Sequence, residues 1–199
     1  MESTLEPLGR RERNKAAKRA RILAAARRGL AEHGYDRMTM AQVARDADVA
    51  IGTVFQYAAT KPELLMMVTA DRWAASVPAA IRASESGGDP VAAIRSLLDP
   101  VLEESLADPE TTMAIARELL FGGPGPHRDA VVAIVAALET AVAGVLRAAG
   151  ATDDADAAAR LIVSGGLLEV NRTRTGRASR ASVEDRLTAL ITIALRGVR

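Results

Sequence analysis

Residues 39–65 read Thr-Met-Ala-Gln-Val-Ala-Arg-Asp-Ala-Asp-Val-Ala-Ile-Gly-Thr-Val-Phe-Gln-Tyr-Ala-Ala-Thr-Lys-Pro-Glu-Leu-Leu, and the helix starts inside that stretch decide the fold. The Thr39 hydroxyl can accept from the Gln42 backbone N–H while the Gln42 amide reaches back to the Thr39 N–H, a reciprocal cap. Met40, Val43, Ala44 and Ala47 then follow at helical spacing as one apolar stripe, with Arg45 and Asp46 facing out. After a turn at Asp48 and Val49, residues 51–57 are expected to turn Ile51, Val54 and Phe55 inward and Gly52, Thr53, Gln56 and Tyr57 outward. Thr60, Pro62 and Glu63 open a third helix. Helices below roughly 12 residues are marginal in water, so the two short ones must be held by neighbours. A short helix held that way, with small and polar side chains outward, fits a major groove about 12 Å wide. The pattern reads as a helix-turn-helix.

Charge points the same way. The chain of 199 residues has a net charge of +1, but its two ends differ. Residues 1–61 carry 12 basic and 7 acidic side chains, a balance of +5, and the rest carries −4. The positive end holds the helix-turn-helix, as phosphate attraction requires. The run from Arg10 to Arg21 is a candidate for groove or phosphate contact, a solvated arm being the alternative.

Working outward, residues 1–12 read as a flexible arm, with Pro7 and Gly9 as breakers. A helix from about Arg13 to His33 buries Ile22, Leu23, Ala26 and Leu30 and stops at Gly34. Another runs from Lys61 to about Arg82, followed by a break at Ser84–Asp89 that includes Gly87. Asp89 opens a helix with Val91, Ile94, Leu98 and Val101 in register, which Pro100 should kink or divide. Further helices are expected at about Pro109–Phe121 (through Met113, Ala116 and Leu120), about His127–Ala149, from Asp153 or Asp154 through Leu161, Ile162, Leu168 and Val170, and from a Ser182 cap to Val198. The fold class is all-α: a three-helix head over 13–61 and a helical body over 62–199. Aromatics are only 3% and no period-two apolar run occurs, which speaks against a sheet. There is no cysteine, so disulfides and thiolate chemistry are excluded. No stretch reaches 18 uncharged apolar residues, and a cytoplasmic protein without membrane contact is expected.

Taken in order, His33-Gly34-Tyr35, Thr39, Val43-Ala44, Ala47-Asp48-Val49, Gly52-Thr53-Val54-Phe55, Tyr57 and Lys61-Pro62-Glu63-Leu64 resemble the DNA-binding domain of the TetR (tetracycline repressor) family of transcriptional regulators, over about Arg13 to Leu65. The resemblance implies that Thr39 and Gly52 offer donors to phosphate, that Tyr57 touches the DNA backbone and that Lys61 pairs with phosphate. Gln42, Ala50 and Phe55 join them in the expected DNA-binding set, and Thr53 and Gln56 are the candidates for base edges. Four positions depart from the family pattern. Asp48 stands where Gly is usual, Ala50 replaces a Ser or Thr cap, Phe55 replaces a Tyr, and Ala58 replaces a Phe.

The resemblance further implies a homodimer, an operator of double-stranded DNA and a small-molecule effector. Met66, Trp73, Met113, Arg117, Glu118 and Phe121 are the candidates for the effector site, with core or solvated face as the alternative for each. Dimerisation is expected through the helices at about 154–173 and 182–198, where Ser164-Gly165-Gly166 permits close approach. No cofactor or metal set is seen: His33 and His127 stand alone, and Glu103-Glu104 and Asp153-Asp154 are adjacent rather than on one helix face. The chain is therefore expected not to be an enzyme. A helical sensor or enzyme without DNA binding is the competing reading.

Overall fold

The computed structural model describes residues 9–84, 88–150 and 154–197. The expected arm over 1–8, Gly87 of the expected break, the Asp153 cap and Val198 lie outside the described residues. Among the described residues are nine helices and no strand. The chain forms two compact units, one ending at Val68 and one beginning at Thr69.

The first unit comprises α1 (Arg10–Arg37), α2 (Met40–Asp46), α3 (Ile51–Tyr57) and the opening turns of α4 (Lys61–Ser84). Helix α1 begins at Arg10, so Arg10–Glu12 belong to the helix and not to the expected arm. The correction follows from composition: Arg-Arg-Glu contains no breaker, and Glu12 complements the positive end of the helix dipole in the first turn. Gly34 interrupts the helix at φ 71° and ψ 167°, a conformation open to glycine, and one short turn continues to Arg37. The expected stripe Ile22, Leu23, Ala26 and Leu30 is buried, with Val43 and Ala44 of α2, Val54 of α3 and Leu64 and Leu65 of α4.

Helix α3 corrects one expectation. Val54 is fully buried, but Ile51 and Phe55 are 47% and 45% exposed. A seven-residue helix touches its neighbours along a narrow strip, and here that strip runs from Val54 to the buried Ala58, its C-cap. At about 100° per residue, Phe55 then turns away with Gln56.

The second unit holds the remainder of α4 with α5 (Pro90–Ala107), α6 (Pro109–Phe121), α7 (Pro126–Ala148), α8 (Ala155–Arg174) and α9 (Arg180–Gly197). Asp89 and Asp108 cap α5 and α6, each accepting at 3.0 Å from the backbone N–H three residues on, with proline at the first helical position. Pro100 does not divide α5, which runs unbroken; the carbonyl it leaves free is that of Ser96, an exposed residue that water can reach. Ser179, not Ser182, caps α9. The Ser182 N–H donates to the Ser179 hydroxyl at 3.2 Å and the Ser179 N–H to the Ser182 hydroxyl at 2.9 Å, so the serine expected as the cap is its reciprocal partner.

The bundle is built from α5 packed on α7, α8 and α9, with α8 also against α6, α7 and α9. Ile94, Leu97, Val131, Val142, Leu146, Ile162, Leu187 and Ile191 form its core. At Gly165 a Cβ would sit 2.8 Å from Leu190 Cδ1, so the glycine lets α9 close on α8. Helix α8 has two apolar faces: Ile162 and Val170 are buried, whereas Leu161 and Leu168 are 72% and 65% exposed. Leu120 of α6 is likewise 69% exposed. Helix α7 is apolar enough by length and composition to cross a membrane, with a mean hydropathy of 2.0 over its best window. Its stripe Val131, Leu138, Val142 and Leu146 is buried in this bundle, and 28% of that window is buried overall.

Candidate nucleic-acid interface and effector cavity

In the first unit, one face of α1 and one face of α3 wall a groove of about 640 Å³ lined by Arg10, Arg11, Asn14, Lys15, Lys18, Thr53, Gln56 and Tyr57. Positions 10, 11, 14, 15 and 18 recur at helical spacing and share a face of α1. The groove therefore sets four cations beside two hydroxyls and two amides, and no acid lines it. Cations neutralise phosphates, while Thr and Gln carry the donors and acceptors that base edges need. The Tyr57 hydroxyl donates to the Lys15 carbonyl at 2.9 Å, which ties α3 to α1.

Thr39, Gln42, Ala50, Gly52, Phe55 and Lys61 of the expected set do not line this groove. Thr39 and Gln42 form the capping box: Gln42 N–H donates to Thr39 Oγ1 at 3.2 Å, and Thr39 N–H to Gln42 Oε1 at 2.9 Å. Ala50 gives α3 no side-chain cap, and Ala50 and Gly52 are both exposed. Asp48 adopts φ 51°, the one non-glycine positive φ among the described residues. Its carboxylate accepts from Arg21 Nη1 at 3.3 Å and so is directed to α1. Lys61 Nζ donates to the Asp36 carbonyl at 2.9 Å and lies 4.5 Å above the Tyr35 ring centre. Its charge is held in place, with donors to spare. Asn14 was not anticipated, although its spacing from Arg10 and Lys18 places it on the cationic face.

In the second unit a cavity of about 240 Å³ opens among α5, α6, α7 and α8. Leu98, Val101 and Leu102 of α5, Ile115, Ala116 and Leu119 of α6, Ile134, Val135 and Leu138 of α7, and Val163, Leu167 and Val170 of α8 make it apolar. Trp73 lines it from α4. The Trp73 indole N–H donates to Glu104 Oε2 and Arg72 Nε to Glu104 Oε1, both at 3.1 Å, which fixes the ring. Polar lining comes from Ser105, Thr112, Ser164 and Glu139. The Thr112 hydroxyl is occupied by the Asp108 carbonyl at 2.9 Å.

Of the residues expected at an effector site, Trp73 lines this cavity and Met66, Met113, Arg117, Glu118 and Phe121 do not. Helix α6 turns Thr112, Ile115, Ala116 and Leu119 inward, so Met113, Arg117 and Phe121, spaced by four, follow another side. Phe121 is 83% exposed, Arg117 pairs with Glu118 at 3.7 Å, and Met66 is buried in the first unit. Glu139 was not singled out from the sequence. The signal was available: it is the one charged residue between Asp129 and Arg147. Among the described residues no cluster of three or more His, Cys, Asp or Glu could hold a metal ion.

A two-turn helix presenting Thr and Gln within a cationic groove, together with a separate helical unit enclosing an apolar cavity, defines a DNA-binding regulator of the helix-turn-helix class. Residues 22–66 match the family model described as bacterial regulatory proteins, tetR family. It is 27% identical, over 94% of its own length and 88% of the other's, to the HTH-type transcriptional repressor KstR of Mycolicibacterium smegmatis. Among solved structures it is similar to the TetR-family repressor FadR of Thermus thermophilus in complex with lauroyl-CoA, with 23% identity, a TM-score of 0.70, and 91% of this chain and 95% of that one covered. FadR of Bacillus subtilis in complex with stearoyl-CoA superposes with 14% identity and a TM-score of 0.66, covering 90% of this chain and 99% of that one.

Proposed function

We propose that the chain is a cytoplasmic repressor that binds a palindromic operator as a homodimer and releases it when a small apolar molecule fills the α5–α8 cavity. The observation that carries this reading is the groove in which Thr53, Gln56 and Tyr57 of α3 stand beside Arg10, Arg11, Lys15 and Lys18. In that reading α3 enters the major groove, Thr53 and Gln56 meet base edges and the α1 cations meet phosphates. Thr39, Gln42, Ala50, Gly52, Phe55 and Lys61 flank that contact.

Two-fold symmetry suits the outer faces of α8 and α9, where Leu161, Leu168 and Ile193 are 72%, 65% and 65% exposed. Burial of each such side chain is worth about 1.5–3 kcal/mol, which favours a partner helix pair there. Paired subunits then present two α3 helices to half-sites about 34 Å apart. Helix α4 is continuous from Lys61 to Ser84, so one helix carries both Lys61 and the cavity residue Trp73. A ligand that moves Trp73 acts on that helix, and a coupling of about 1–3 kcal/mol changes operator occupancy roughly 5- to 150-fold. The repressors KstR and FadR, the latter with its acyl ligands, support both the repressor reading and an effector with an apolar body.

The test is selection of bound fragments from the source genome, then titration of operator and random DNA at two salt concentrations. Gln56→Ala is expected to lose about 1–3 kcal/mol on the operator and little on random DNA. Equal loss on both removes Gln56 from base reading, and no binding to any duplex at low salt removes the proposal.

A further inference from the structure

Glu139 is the single charged side chain lining the α5–α8 cavity, and among the described residues no hydrogen bond or ion pair holds its half-buried carboxylate. The other acids near the bundle's interior are engaged: Glu104 by Trp73 and Arg72, Glu169 by Arg172 and Arg186. The hydroxyls of Ser105 and Ser164 line the same cavity and make no hydrogen bond among the described residues. A ligand that fills this space strips water from the carboxylate. A pure hydrocarbon leaves it desolvated and unpaired, and an anion adds repulsion between like charges. An ammonium or other N–H donor replaces the lost water with a charge-assisted hydrogen bond.

Size narrows the class further. The cavity of about 240 Å³ has room for roughly eight groups of the ~30 Å³ that a water molecule occupies in the liquid. It lies below the ~300 Å³ at which drug-sized sites begin.

We infer that the effector is a compact aliphatic amine, its hydrocarbon body among the leucines and valines of α5–α8 and its ammonium on Glu139, with Ser105 and Ser164 offering hydroxyl oxygens to the remaining N–H groups. This rests on the reading of the cavity as the effector site and assigns it a charge preference opposite to that of a fatty acid.

Calorimetric titration of the full-length protein with n-octylammonium, n-octanol and n-octanoate, beside operator release by each, tests the inference. In the wild-type protein the ammonium compound binds about tenfold or more tighter than octanoate, the usual worth of a hydrogen bond to a charged group. In Glu139→Gln that order collapses or inverts: octylammonium loses about tenfold, octanol is little changed and octanoate gains. Glu139→Leu gives the same inversion and serves if the glutamine variant does not fold. If the three probes bind the wild type equally and Glu139→Gln alters none of them, the amine inference is overturned while the cavity remains the effector site. If none of the three binds or releases the operator, the effector reading of the cavity falls and the inference with it.

Discussion

Replacing Tyr57 with Phe separates two roles for one hydroxyl. Family resemblance puts that hydroxyl on the DNA backbone, whereas in the structure it donates to the Lys15 carbonyl at 2.9 Å, joining residues 42 apart in sequence. The bond is solvent-exposed and neutral, so its net worth is near the middle of the usual range, about 1 kcal/mol. That is about fivefold in the balance between α3 docked on and detached from the opening turns of α1. Residues 10–18 of α1 are all exposed, so few apolar contacts share this task. Urea unfolding is expected to show a loss of about 1 kcal/mol. DNA titration across a salt series should show an affinity loss of up to about fivefold, equal on operator and random duplex, with an unchanged salt slope because no charge is removed. Stability equal to wild type combined with weaker DNA binding would refute the anchoring role and place the hydroxyl on phosphate.

Lys61→Ala is expected to weaken binding to every duplex and to flatten the salt slope by about 1. Loss of the Asp36 and Tyr35 contacts should also cost about 1–2 kcal/mol of stability; an unchanged slope confines Lys61 to a structural role. Gly165→Ala places a methyl 2.8 Å from Leu190 Cδ1. Overpacking of about 1–3 kcal/mol there opposes a propensity gain of about 1 kcal/mol, so a lower Tm is expected, with partial recovery in Gly165→Ala/Leu190→Ala. A higher Tm for the single variant shows that Leu190 simply rotates aside. Asp99 has its pKa raised, chiefly by desolvation, with Glu103 and Glu184 adding to the rise and Arg95 opposing it. Its ionised form therefore costs stability above the folded-state pKa, and that cost fades as pH falls toward the unfolded value. Asp99→Asn should raise Tm slightly at neutral pH and lose that gain in acid; a gain that persists in acid contradicts the electrostatic origin.

Helix starts were legible because they are local. Thr39 with Gln42, Asp89 with Pro90 and Asp108 with Pro109 each satisfy backbone donors within three residues, and the bounds Pro109–Phe121 follow. What failed depended on neighbours distant in sequence. Periodicity says which residues share a face and not which face meets the core; hence Phe55 was assigned inward although Val54 alone fills the strip that α3 buries. The cavity was misjudged for the same reason. Two sides of α6 are each partly apolar, and only the packing of α5, α7 and α8 selects the one bearing Ile115 and Leu119. At the start of α9 two serines three apart mimic each other, and the helix reaches one turn further back than the second of them suggested.

Trp73 is the sole tryptophan in the chain, accompanied by only two tyrosines. Its indole is 6% exposed, anchored through nitrogen to Glu104 and bordering the cavity. Ultraviolet emission from the unlabelled protein thus originates almost wholly beside the site where an effector would settle. Its wavelength and quenching follow the polarity there, so occupancy can be watched in real time with no dye attached.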